Sequence, residues 1–468
     1  MRSLTAQAVL AAFLLQAAVT TAQGQCSVDI KSEYPAPVVA AGYQARLIVS
    51  GLSRPRGIIF DKSGNLLVVE SGNGIRQIRF SSDDKATCLA ANADKTLISL
   101  RSLNHGIEIS PDGKTLYASS AEDVYSWDYN AEAGTLTNQR TLVQNMSNPG
   151  HVTRTVFLSK KHPELLLVSR GSSENIDELT TNINSGISQI RAFNLSARGS
   201  SPYDYASSGT VIGWGLRNSV GIAEHPVTGN LYSVENSADQ IQRLNTDIHE
   251  DNPGEELNSH GVLPLPTSTS TPPNFGYPNC LAVWSTSIPS PGSLTVGSQF
   301  SYRPPTTDAM CASDFVPPRL TFQAHTAPLD IKFDSSGGLA YISFHGSWNR
   351  DQPAGYRLSA VAFSREKGEP EAARDSRTAA MDVLVNADTS RCPGRCFRPA
   401  GLAVDGMDRV FMTSDSTGEI YVVLRMTGDG AGNGTGIDSG AAVGRGGSWG
   451  MLVGTLVVGF LGGWLFLV

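Results

Sequence analysis

The chain has 468 residues and a formal net charge of -7 with no run of basic residues, which argues against nucleic acid as a partner. Glycine (47) and proline (25) are abundant. Helical periodicity is weak and apolar alternation recurs, so the expected class is all-β.

The first stretch, MRSLTAQAVLAAFLLQAAVTTAQ, carries one basic residue, Arg2, then an apolar core and small residues. It reads as a signal peptide over residues 1–22, cut after Ala22. Six copies of one pattern follow. They begin at Gly57 (GIIFDKSGNLLVVES), Gly106 (GIEISPDGKTLYASS), Thr155 (TVFLSKKHPELLLVSRG), Gly221 (GIAEHPVTGNLYSVEN), Asp330 (DIKFDSSGGLAYISFHG) and Gly401 (GLAVDGMDRVFMTSDS). Each has an apolar run, a turn cluster and a second apolar run, the ingredients of a hairpin. A hairpin repeated at this period predicts a six-bladed β-propeller over residues 26–426, with no second domain. Residues 250–312, rich in Pro, Ser and Thr, interrupt the series between the fourth and fifth copies and are expected to wall the binding site.

Six cysteines in an exported chain point to disulfides. Cys392 and Cys396 are spaced to clip one loop, Cys280 and Cys311 to pin the insertion, and Cys26 and Cys88 remain for each other. Asn145, Asn194 and Asn433 stand in glycosylation sequons and are expected at the surface. Residues 427–448 form a Gly-rich spacer, and residues 449–468 an apolar segment with no basic residue after it. That pattern reads as a signal for a C-terminal lipid (GPI) anchor, attached at Asn433 or Ser439, with a transmembrane anchor as the alternative. The expected location is secreted and at the cell surface, on the plasma membrane or cell wall.

In a propeller the innermost strand of each blade flanks the central channel, so residues at its start are expected to converge. Arg56, His105, Arg154 (with His151 just before it), Arg217 with Asn218, His325 and Arg398 precede the copies in turn. The fifth copy runs on into His345-Gly346-Ser347-Trp348-Asn349-Arg350. His162, His225, His249 and His260 are read instead as solvated or salt-bridged. Few Asp or Glu align with the converging cations, whose mutual repulsion then calls for a compact polyanion. Planar guanidinium groups favour carboxylate or phosphate as its charged parts.

These residues resemble a known family. GLSRPRG (51–57), GHVTRTVF (150–157), GLRNSVG (215–221), NFGYPN (274–279), HGSWNR (345–350) and FRPAGL (397–402) are similar, in this order, to the quinoprotein sugar dehydrogenases of the glucose/sorbosone type, above all the fungal secreted pyranose or L-sorbosone branch. The resemblance spans about residues 40–425. It implies pyrroloquinoline quinone (PQQ), a flat tricarboxylate, as cofactor, with Ca²⁺ beside it. It further implies His151 as general base, and Arg217, paired with Asn218, as the group that polarises the reactive carbonyl. Arg56, His345 and Arg398 are implied as cofactor contacts, with His105, Arg154, Trp348 and Arg350 as further candidates. The main-chain oxygens of Ser237 and Ala238 are implied as metal ligands, although the Gly-Pro pair of bacterial relatives is missing there. The implied reaction oxidises an aldose, pyranose or sorbosone-like sugar and passes electrons to an external acceptor, whether cytochrome, quinone or copper oxygenase. Two competitors share the architecture, a Ca²⁺-dependent propeller lactonase or esterase and a non-catalytic surface-tethered recognition propeller.

Overall fold

The computed structural model of the protein describes residues 26–82, 86–264 and 271–426. The expected signal peptide, spacer and apolar tail, with Asn433 and Ser439, lie outside the described residues. Six sheets, antiparallel except that Tyr203–Asp204 pairs parallel to Thr135–Gln144 in blade 2, form the blades of a propeller, each begun by one copy of the repeat. The inner strands are Pro55–Phe60, Leu103–Ile109, Val156–Leu158, Ser219–Glu224, Pro328–Phe333 and Pro399–Val404, heading blades 1 to 6. Tyr43–Val49, near the start of the chain, is the outermost strand of blade 6, with Tyr43 opposite Arg425. The ring is thus closed by hydrogen bonds between segments far apart in sequence.

The core lies between neighbouring blades. Leu67, Val69 and Ile75 of blade 1 pack on Ile107, Leu116 and Trp127 of blade 2. Tyr341, Leu358 and Leu384 of blade 5 meet Leu402, Met412 and Tyr421 of blade 6. Second strands are covered on both faces, which explains continuous apolar runs such as Leu66–Glu70 and Leu339–Phe344 where alternation might be expected. Each fully buried Val, Leu or Ile there contributes about 1.5–3 kcal/mol.

The glycine that opens most copies has a steric cause. A Cβ on Gly57 would lie 2.3 Å from the His105 carbonyl oxygen, one on Gly106 2.4 Å from that of Arg154, and one on Gly401 2.2 Å from that of Arg56. Inner strands of adjacent blades therefore touch backbone to backbone. Blades 3 and 5 solve the same contact with a polar side chain. Thr155 donates its hydroxyl to the Val220 carbonyl, and Asp330 accepts the Leu402 N–H at 2.8 Å.

Pairing of the inner strand with the second strand shifts register between Pro55 and Ile58, Leu103 and Ile107, Ser219 and Gly221, Pro328 and Asp330, and Pro399 and Leu402. Such bulges re-aim side chains at the rim of the channel. They also correct the expected ring. The positions directly before the repeat start are Arg56, His105 and Arg154 in blades 1 to 3, but Val220, Leu329 and Ala400 in blades 4 to 6, and those three pack together as an apolar plug. Arg217, His325 and Arg398 stand three to five residues earlier, in the loops above.

The disulfides are Cys26–Cys88, Cys280–Cys311 and Cys392–Cys396, the pairing expected. The insertion is only partly extra structure. Glu255–Val262 within it is the third strand of blade 4, while Cys280–Ala282 and Gln299–Ser301 pair as a separate ribbon beside the helix Asp308–Asp314. Asn145 and Asn194 are exposed. Two of the histidines read as solvated are core residues instead. His225 is fully buried with Nε2 3.0 Å from the Gly337 carbonyl, and His260 is buried with Nε2 2.8 Å from the Ser233 hydroxyl.

Candidate active site

Loops at one end of the channel bring His151, Arg217, His325, His345, Arg56 and Arg398 into two linked polar clusters. In the first, Asp239 is shared. Its Oδ2 accepts from Arg217 Nη2 at 3.0 Å, and its Oδ1 accepts from Asn349 Nδ2 at 2.9 Å and lies 3.5 Å from His325 Nδ1. Arg217 is buried and fully engaged, with Nε bonded to the Asn175 carbonyl, Nη1 to the Asn236 carbonyl and Nη2 also to Asn175 Oδ1. Burial alone would raise the Asp239 carboxyl, but His325 and Arg217 outweigh it and hold it below the ordinary range. In the second cluster Asp415 is shared, with Arg56 Nη1 at 2.6 Å and His345 Nε2 at 2.8 Å. Arg398 closes this side by donating from Nε and Nη2 to the carbonyls of His345 and Gly346, its guanidinium 5.7 Å from the Tyr356 ring centre.

These aspartates correct the expectation that the cations lack partners. They follow the second strands of blades 4 and 6, not the inner strands. Arg56, Arg217 and Arg398 outnumber Asp239 and Asp415, while buried Glu235 and Glu255 stand behind the first cluster and accept the Arg217 and Ser237 N–H groups.

His151 stands beside the first cluster, on the turn before blade 3. Its Nδ1 lies 3.0 Å from the Ser172 carbonyl oxygen and 2.9 Å from the Ser172 hydroxyl, which itself donates to the Glu174 carbonyl. Both neighbours accept, so Nδ1 carries the proton and Nε2 presents its lone pair. No protein group bonds that Nε2 among the described residues. Burial, then the charge of Arg217, lowers the imidazole to about 4, so it is neutral at mild pH.

Other candidates occupy different places. Arg154 is fully buried, and its Nη1 and Nη2 donate to the carbonyls of His151, Thr153 and Met146 while Nε has no partner, so it sets the turn carrying His151 rather than the site surface. Arg350 is likewise spent on the insertion, bonding the Glu250 carbonyl and carboxylate. That contact does bring the start of the insertion against the site, and His325 Nε2 meets the His249 carbonyl there. His105 is buried at the channel wall, Asn218 is buried with its Oδ1 against Gly171, and Trp348 is 68% exposed. Sequence reasoning missed Asp415, which sits in the sixth copy at the place His345 holds in the fifth, and also Ser172, Asn175 and the pairing role of Asp239, on loops after second strands.

A polyanionic cofactor fits the unspent groups. Arg56 Nε and Nη2 and Arg398 Nη1 make no protein hydrogen bond among the described residues. Buried His105 Nδ1 on the channel wall also lacks a partner, whereas the orphaned Oδ1 atoms of Asn104, Asn148 and Asn349 are acceptors and suit hydroxyl donors, not a carboxylate. Planar guanidinium groups can take carboxylates in bidentate fashion. For a hard cation, no hydrogen bond reaches the carbonyl oxygens of Ser237 or Ala238 among the described residues, and neutral carbonyl oxygens suit Ca²⁺.

Over 434 residues the chain is 47% identical to the pyrroloquinoline quinone-dependent sugar dehydrogenase of Hypocrea jecorina, covering 91% of this chain and 98% of that one. It is 38% identical over 408 residues to the pyrroloquinoline quinone-dependent pyranose dehydrogenase of Coprinopsis cinerea, covering 83% of this chain but 55% of that protein, so the chain spans about half that relative. The calcium structure of the Trichoderma reesei family AA12 protein superposes with a TM-score of 0.82 at 48% identity, over 86% of this chain and 100% of that one. The holo PQQ domain of the Coprinopsis cinerea pyranose dehydrogenase gives 0.80 at 36% identity, over 86% and 99%. Residues 37–426 match the TrAA12-like family model, and the chain belongs to that family.

Proposed function

We propose that this protein is a PQQ-dependent sugar dehydrogenase that oxidises the anomeric carbon of an aldose, pyranose or sorbosone-like sugar. The observation that carries the reading is His151, a neutral imidazole with Nε2 free, set beside Arg217 in a site where Arg56 and Arg398 keep donors unspent. The activities of its relatives, the PQQ-dependent sugar and pyranose dehydrogenases, supply the cofactor class.

Arg56 and Arg398, with His345 between them, would hold the carboxylates of the cofactor, and the Ser237 and Ala238 carbonyls would ligate Ca²⁺. When bound, PQQ supplies the two-electron acceptor for hydride leaving the sugar. His151 Nε2 takes the proton of the anomeric hydroxyl, and Nδ1–H, fixed on Ser172, keeps the ring in the required tautomer. Arg217 is held on several sides, so its charge is already oriented toward the site as negative charge develops there. Electrons then pass to an external acceptor. The signal-like start, the sequons Asn145 and Asn194 and the apolar tail support a secreted, glycosylated and lipid-anchored protein.

The test is reconstitution of the purified protein with PQQ and Ca²⁺, followed by sugars with an artificial electron acceptor. One cofactor bound per chain and sugar-dependent reduction of the acceptor are expected. No binding heat and no spectral change with both additions would overturn the reading.

A further inference from the structure

The loop between the second and third strands of blade 3 ties together the two groups assigned to chemistry. Ser172 takes the His151 ring, accepts the His151 backbone N–H at 3.0 Å and donates its own N–H to the Arg217 carbonyl at 2.8 Å. Three residues on, Asn175 makes a denser set of bonds. Its Oδ1 accepts from Arg217 Nη2 at 2.8 Å and from the Asp239 N–H at 2.8 Å, and its Nδ2 donates to the Asp239 carbonyl at 2.7 Å. The Asn175 carbonyl accepts from Arg217 Nε at 3.1 Å and from the Tyr277 hydroxyl at 2.8 Å. One side-chain amide thus clamps both backbone polar groups of Asp239, while the same residue holds the guanidinium that Asp239 pairs with.

From this geometry we propose that Asn175 is a positioning residue that fixes Arg217 and Asp239 relative to His151. The proposal rests on the dehydrogenase reading for its effect on turnover, while the coupling of Asn175 to the His151 environment stands on hydrogen bonds alone. An amide is the side chain this place requires. An Asp lacks the donor for the Asp239 carbonyl, and an apolar residue leaves Arg217 Nη2 and the Asp239 N–H short of an acceptor. The charges facing the His151 ring are Arg217 and Arg154, which lower it, and Asp239, which raises it. Loosening Arg217 alone would raise the imidazole and loosening Asp239 alone would lower it, so the sign of a shift reports which of the two moved more.

The experiment pairs two variants with two readouts. Asn175→Ala is expected to lower kcat by about 10²-fold with KM changed far less, the usual cost of a misplaced catalytic group. Asn175→Asp, nearly isosteric, keeps an acceptor for Arg217 but adds a negative charge, and is expected to move the His151 imidazole titration, followed by NMR of the protein without cofactor, toward higher pH. Thermal melting checks that each variant is folded. A folded Asn175→Ala with wild-type kcat, or an Asn175→Asp whose His151 titration coincides with wild type, would overturn the positioning role. If the wild-type protein oxidises no sugar yet the titration shift appears, the coupling holds and only the dehydrogenase reading falls.

Discussion

Two regions of the site use one device, an aspartate shared by an arginine and a histidine, and use it to opposite ends. Asp239 serves Arg217 and His325 beside the base, whereas Asp415 serves Arg56 and His345 where donors remain free. In the first region every polar atom of Arg217 is spent inside the protein, so the group is rigid and acts through its field. In the second, Arg56 keeps two donors for a ligand. The histidines diverge as well. Burial lowers His345, and Asp415 only partly offsets it. Burial would lower His325 too, but Asp239, Glu255 and the His249 carbonyl overcome it and its pKa is raised. A shared motif therefore does not set a histidine's charge; the balance of acceptors and neighbouring cations around the buried ring does, and Arg398 and Arg56 lower His345 where no cation lowers His325.

The largest expected effect separates chemistry from holding. His151→Ala should lower kcat by about 10²- to 10⁴-fold while PQQ affinity, measured by calorimetry, stays near wild type. The rival bases are His105 and His345. Normal turnover in the His151 variant, with a dead but quinone-binding His105 or His345 variant, would reassign the base.

Next in size is the reverse pattern at the other cluster. Arg398→Ala should weaken PQQ binding by about 2–5 kcal/mol, with kcat at saturating cofactor little altered, if its free donor meets a buried carboxylate. An unchanged affinity with a reduced kcat would dissolve the division of labour between the two regions.

The blades were legible because each hairpin is local and its turn chemistry lies in one short stretch. The favoured disulfide pairing, one of 15 possible connectivities, is the one formed, and only Cys392–Cys396 followed from a short spacing. The glycine starts were visible as a pattern, but their cause was not, since it lies in the carbonyl of the next blade. The site was half legible. Arg56, Arg217, His151, His345 and Arg398 do converge, yet Arg154 and Arg350 point into protein, because a sequence position fixes neither the bulge register nor the direction of a long side chain. Val220, Leu329 and Ala400 show the same limit, being the true counterparts of Arg56 in their blades. Ser172 and Asn175 lie beyond the end of the third copy, on a loop with no counterpart to align, whereas Asp415 stands in the sixth copy at the place of His345 and was within reach of the repeat.

A smaller effect should appear in the pH profile. The base must be neutral, so kcat/KM should fall as pH drops through about 4, the value to which His151 is lowered. Arg217→Gln removes the charge that, after burial, holds the ring down, so the acid limb should move up toward the ordinary value near 6.5. Arg56→Gln, in the other cluster, should leave the limb in place. A limb that moves equally in both variants would mean that the clusters act on the base as one.

The smallest effect tests the histidines themselves through stability. His325 has its folded pKa raised, so its stabilising contribution is full below the unfolded value near 6.5 and is lost as pH rises through the folded pKa. His345 has its folded pKa lowered, so its contribution is present above that unfolded value and is lost as pH falls through the folded pKa. The difference in melting temperature between wild type and His325→Gln should therefore grow toward pH 5.5, and that between wild type and His345→Gln should shrink. Changes of no more than a few degrees are expected in a domain of this size. Glutamine retains a donor and an acceptor at each place, so packing loss should be nearly independent of pH and cancel from the slopes. Slopes of the same sign would show that Asp239 and Asp415 hold their histidines alike, and that the contrast between the two clusters lies only in the free donors of Arg56.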